Sequence, residues 1–134
     1  IVSPWPDIPD RYVAIVGSDK LSKDQLKCAQ QLIYFILSYE AAQQGPGEIV
    51  VVSGGAEGID TLAEETAEKW VFDTKIFRPE KKGWYWYKKR NKLIAERCDV
   101  LYRIATRESK TYGSGWTADY AEEEMGKEVY RFWV

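Results

Sequence analysis

The sequence predicts a three-layer α/β fold, an open parallel sheet of about five strands with helices on both faces. Three observations predict it. Apolar, β-branched runs alternate with one-faced helical periodicities along the whole chain. The links between them are short. The run "EIVVVSGG" carries β-branched residues on both faces, as a parallel strand covered on both sides requires.

The elements follow in order. After a proline-punctuated lead over residues 1–10, "RYVAIVGS" (11–18) reads as a buried strand ending in glycine. Leu26, Ala29, Ile33, Ile36 and Leu37 then recur at helical spacing, and "QGPGE" stops that helix. The second strand, "EIVVVSGG", leads into Ile59, Leu62, Ala63, Thr66, Ala67 and Trp70, a helix with a single apolar face. "TKIFRP" is a short third strand and "WYWYKKRNKLIAERC" a helix. "DVLYRIA" is a fourth strand, "GSGWTADYAEEEMGK" a helix and "EVYRFWV" a fifth strand. No repeat or linker calls for a second domain, so 1–134 is expected to form one unit.

Composition narrows the chemistry. The chain of 134 residues has 45% hydrophobic and 30% charged residues, with a net charge of −2, so its overall field is not that of a nucleic-acid binder. Two cysteines without CxxC spacing argue for a reducing, cytoplasmic compartment and against a zinc site. The chain has no histidine, so any proton transfer falls to carboxylates, Lys, Tyr or hydroxyls. No metal and no cofactor is expected beyond a nucleotide-like ligand. The longest apolar run, "LIYFIL", is too short to span a bilayer.

In open α/β sheets ligands bind beyond the carboxyl ends of the strands. Loops at those ends read "GSDK", "SGGAEGID", "RPEKKGWYW" and "ATRESKTYGSGWT". Glycines there let backbone N–H groups approach an anion, and the positive ends of helices favour phosphate. Neither the GxxxxGK[ST] nor the GxGxxG pattern occurs. The competing explanation for Gly54, Gly55 and Gly58 is tight strand-to-helix packing. Asp60 also stabilises a helix start whatever its other role. Arg90 and Asn91 offer a charged fork and an amide for phosphate or sugar oxygens. The segment 81–92 interleaves Trp84, Tyr85, Trp86 and Tyr87 with six basic residues, a stacking and backbone-tracking pattern for single-stranded nucleic acid.

The segments "IVVVSGGAEGIDTLAEETA", "KKRNKLIAERCDVLY" and "GSGWTADYAEEEMGKEVYRF" resemble the corresponding motifs of DNA-processing-protein-A (DprA/Smf) Rossmann-like domains. They place the chain by resemblance in the SLOG superfamily, which also holds the LONELY GUY phosphoribohydrolases. The resemblance spans about residues 12–132. It implies a ligand site of Ser53, Gly54, Gly55, Ala56, Gly58, Asp60, Arg90 and Asn91. Gly113, Ser114, Gly115 and Thr117 form its phosphate turn, and Gly17 and Ser18 its floor. It also implies a homodimer.

Three activities are compatible with that resemblance: binding of a nucleotide or nucleotide-derived phosphate, cleavage of a nucleoside monophosphate, and binding of single-stranded DNA through Trp84, Trp86 and Tyr87. For cleavage the phosphoribohydrolase pattern PGGxGTxxE places a glutamate where this chain has Tyr120. The candidate carboxyl groups are then Asp60 and Glu122, with Asp119 beside them. The lengthened loop 107–112 is expected to act as a lid.

Overall fold

The computed structural model describes residues 8–45, 47–108 and 113–134. Most of the lead segment and residues 109–112 of the expected lid lie outside the described residues.

The order of elements is β1 (Arg11–Gly17), α1 (Lys23–Gln44), β2 (Ile49–Ser53), α2 (Ile59–Lys69), β3 (Asp73–Ile76), α3 (Trp84–Arg97), β4 (Val100–Ala105), α4 (Gly113–Glu123) and β5 (Glu128–Trp133). All four strand pairings are parallel, in the order β3-β2-β1-β4-β5. The register runs from Arg11 opposite Ile49 in the first pair and from Val13 opposite Val100 in the second. This is the α/β sheet that the alternation of patterns predicts.

Successive strand residues feed opposite cores, the two-residue period of a strand made visible. Val13, Ile15 and Val51 pack beneath α1 and α2. Ala14, Val16 and Val52 pack beneath α3 and α4 with Ile94, Ala95, Ala118 and Ala121. Alanines on that second face let α3 and α4 approach the sheet closely.

Ser22 caps α1: its Oγ accepts from the Gln25 amide at 3.2 Å, while its own amide donates to Gln25 Oε1 at 2.9 Å. This reciprocal pair satisfies two otherwise unpaired N–H groups.

The chain first builds leftward from β1 to β2 and β3, then crosses to β4 and β5 on the right. Right-handed crossovers in opposite directions put α1 and α2 on one face and α3 and α4 on the other. The switch of direction lies between β1 and β4, whose pairing ends with Gly17 opposite Ile104. A crevice opens there. No helix among the described residues is long and apolar enough to cross a membrane.

Candidate functional site

At that switch point lies a cleft of about 600 Å³. Gly17 ends β1 at its floor. Gly54, Gly55, Ala56 and Asp60 form one wall, and Arg90 and Asn91 of α3 form the back. Gly113, Ser114 and Thr117 of α4 lie across from the glycine loop, with Trp84 and Tyr87 at the side. Twelve sequence-predicted residues thus meet around one space, although four separate segments supply them.

The wall formed by the loop after β2 is closed in on itself. The amides of Gly54 and Ala56 both donate to Asp60 Oδ2, at 3.2 and 3.3 Å. The Gly55 amide donates to Ser53 Oγ at 3.2 Å, and that hydroxyl donates onward to Glu64 Oε2 at 2.6 Å. Three amides that the glycine pattern predicts for a ligand are therefore turned inward. Asp60 is buried, and burial raises its pKa to about 7 against the opposing pull of the Ala56 amide and the Arg90 charge.

Arg90 is anchored in the same way. Its Nη1 donates to the Gly54 carbonyl and its Nε to Asn91 Oδ1 at 2.7 Å. Burial lowers its pKa, and Asp60 offsets that effect. It remains charged, since an arginine starts far above neutrality. Among the described residues its Nη2 has no hydrogen-bond partner, leaving one edge of the fork for the cleft.

The start of α4 is arranged differently. The Gly113 carbonyl accepts from Thr117 Oγ1 at 2.8 Å and from Asn91 Nδ2 at 3.4 Å. Those bonds fix the first turn, whose amides have no partner within the helix. A Cβ added at Gly113 would meet nothing within 4 Å. The helix carries no acidic residue in its first turn, where its partial positive charge lies.

Several predicted residues sit outside this cleft. Ser18 is buried under it, its Oγ accepting from the Thr106 amide at 3.0 Å and its carbonyl from the Ile59 amide at 3.1 Å. Ser53 is likewise buried. Gly58 packs on the backbone of Ser18 and Asp19, and Gly115 faces the Arg103 guanidinium. Glu122 pairs with Arg131 at 3.3 Å, on the side of α4 turned toward β5. Asp119 binds the same arginine at 2.9 Å. Asp19, Glu57, Pro79, Val16 and Ile94 also line the cleft and were not singled out from sequence. Asp19 and Pro79 do fall in strand-end loops, the one signal that points to them.

Beginning at Trp84 on the cleft's side wall, α3 and α4 present a surface of rings and cations. Trp84 meets Trp116 edge-on at 5.8 Å, and Trp116 stacks on Tyr120 at 5.0 Å. Lys88 sits 5.6 Å over Trp116 and Lys92 5.9 Å over Tyr120. Trp86 contacts Tyr85 edge-on at 5.1 Å, with Lys81 and Lys89 over its ring. The six basic residues of segment 81–92 leave the other 122 residues at a net charge of −8. The charge is therefore strongly segregated despite the small total.

A family model described as DNA recombination-mediator protein A matches residues 5–76, just over half of the chain. Among solved structures, DNA processing protein A (DprA) from Streptococcus pneumoniae superposes with a TM-score of 0.69 at 25% identity. The match covers 90% of this chain and 50% of that one, so the chain spans about half the length of that relative. The X-ray structure of TM1055 superposes with a TM-score of 0.64 at 17% identity, covering 89% of this chain and 72% of that one, a likeness of fold alone. No curated protein matches the chain significantly.

Proposed function

The chain belongs to the DNA recombination-mediator protein A family, with a SLOG/DprA-like Rossmann domain, and from that premise we propose that it binds a nucleotide phosphate in the cleft at the switch point. The observation that carries this reading is the convergence of the Arg90 guanidinium, Asn91 and the open first turn of α4 on one space. A phosphate at that turn meets amides that the helix itself leaves without a partner, the positive helix end and one edge of a charged fork. Trp84 and Tyr87 on the side wall offer rings for a base. Isothermal titration with nucleoside mono-, di- and triphosphates tests it. Binding lost in Arg90→Ala supports the reading, and no heat from any of them refutes it.

A second reading is favoured by a separate observation, the lysines seated over Trp86, Trp116 and Tyr120. Such a face suits single-stranded nucleic acid, since rings accept any base and cations follow the backbone. Its signature is oligonucleotide affinity that falls steeply with salt. Hydrolysis of a nucleoside monophosphate is the third reading. It has Asp60 in the cleft with a pKa near neutrality, whereas Glu122 is held by Arg131 away from it. Release of free base from a monophosphate panel, abolished by Asp60→Asn, is the result this reading requires.

A further inference from the structure

Arg103 is the one charged residue of β4 and the one position of that strand that is not buried. The ladder places Arg131 of β5 directly opposite it, and like charges so placed repel. Arg131 is balanced by α4: its Nη2 lies 2.9 Å from Asp119 and its Nη1 3.3 Å from Glu122. Arg103 is not. Its Nε donates to Ser114 Oγ at 3.0 Å, and no carboxylate pairs with it among the described residues. Burial and the Arg131 charge lower its pKa against the pull of Asp119, yet an arginine stays charged near neutrality.

A second guanidinium stands beside it. Arg103 lies 5.4 Å and Arg107 5.9 Å from the centre of the same ring, Trp133, which is half exposed. The ring attracts both cations but supplies no counter-charge. Arg107 also has no carboxylate partner among the described residues, and the neighbouring Glu108 accepts from Gln25 Nε2 at 3.2 Å instead. In sequence, Ser109 to Tyr112 add Lys110 and no acid. Three arginines thus meet two carboxylates at this end of β4 and β5, and the surplus charge rests on Arg103 and Arg107. A partly desolvated cation without a counter-ion is costly, and an anion from outside relieves that cost.

The position of the pair indicates which anion. Ser114 lines the cleft in the first turn of α4, and a Cβ added at Gly115 would lie 3.4 Å from Arg103 Cζ. The guanidinium therefore rests against the turn at which a phosphate is proposed to bind. Guanidinium forks match phosphate oxygens. We propose that Arg103 and Arg107 hold a second phosphate beside that first one, so that the site selects nucleoside diphosphates over monophosphates. This rests on the phosphate reading of the cleft given above. Two anion positions that share Ser114 suit a pyrophosphate, whose groups adjoin, rather than a strand in which a sugar separates them.

Isothermal titration of the whole chain with a nucleoside monophosphate, the diphosphate of the same base and a 5′-phosphorylated dinucleotide tests it. The parent should bind the diphosphate at least about tenfold more tightly than the monophosphate, as added charge-assisted hydrogen bonds imply. Arg103→Gln removes the charge and keeps much of the side-chain volume, and Arg107→Ala changes an exposed position. Each should bring diphosphate affinity down toward that of the monophosphate, whose own affinity changes little. Equal affinity of the parent for mono- and diphosphate overturns the proposal while leaving the phosphate reading intact. So does a preference that survives in both variants, or a gain confined to the dinucleotide. Silence from all three ligands overturns both the proposal and the reading it rests on.

Discussion

The two glycine-rich turns of this protein look alike in sequence and do opposite things in space. The turn after β2, with Gly54, Gly55 and Gly58, is filled from within. A Cβ at Gly54 would lie 2.7 Å from Arg90 Nη1, and Gly55 and Gly58 adopt φ of 71° and 78°. At the turn opening α4 a Cβ added at Gly113 would meet nothing within 4 Å among the described residues, and its amides are not claimed by the helix. The first turn needs glycine because the backbone is folded tightly around Asp60. The second leaves room for something from outside. Glycine content alone does not separate these cases; the destination of the amides does.

The largest effect that follows is at Gly58. Alanine there must adopt a left-handed conformation and overlaps the Ser18 carbonyl oxygen. Gly58→Ala should lower stability by about 3 kcal/mol, read as a shifted urea midpoint. Next comes Asp60→Ala, which strands the amides of Gly54 and Ala56 and removes the charge facing Arg90. It should cost about 2–3 kcal/mol.

The same carboxyl sets a pH dependence. Its folded pKa of about 7 lies above that of an unfolded aspartate, near 4. Between those values the folded state holds the extra proton, so this group makes stability fall as pH rises from about 4 to 7 and level off above. Urea midpoints across that range should show a shallower decline in Asp60→Asn than in the parent.

A smaller change belongs to the open side of the cleft. Arg90→Ala should weaken nucleotide binding by about 2 kcal/mol, roughly thirtyfold, as expected for a lost charge-assisted hydrogen bond. The smallest is Gly113→Ala, which gains helix propensity and meets no neighbour. Its stability should be unchanged or raised by less than about 1 kcal/mol. If Gly113→Ala instead destabilises as much as Gly58→Ala, the contrast between the turns is wrong.

Much of the fold was legible because its signals are local. The both-faced β-branched run of β2 and the single stripe of α2 specify their elements without tertiary context. Helix α3 starts at Trp84 as its pattern predicts, while α4 ends at Glu123, short of the expected Lys127. The resemblance located the glycine turns and the Arg90–Asn91 pair.

What stayed hidden was direction. That Asp60 turns back to Gly54 and Ala56 depends on how the loop closes, not on spacing. Ser18 and Ser53 read as ligand contacts yet serve as buried ties. Glu122 falls outside the cleft because Thr117, Ala118 and Ala121 take the inward side of α4, leaving the next position for Arg131. In helix α3, the shared face of Trp84 and Tyr87 followed from three-residue spacing, and both do line the cleft.

The central claim is that an incoming phosphate lands on the first turn of α4 and not on the loop after β2. Titrating the ¹⁵N-labelled chain with a nucleoside monophosphate and following each amide tests it most directly. The account predicts the largest shifts at Ser114 and Gly115, with Gly54 and Ala56 nearly still because Asp60 holds them. Largest shifts at Gly54 and Ala56, or none around the cleft, would contradict it.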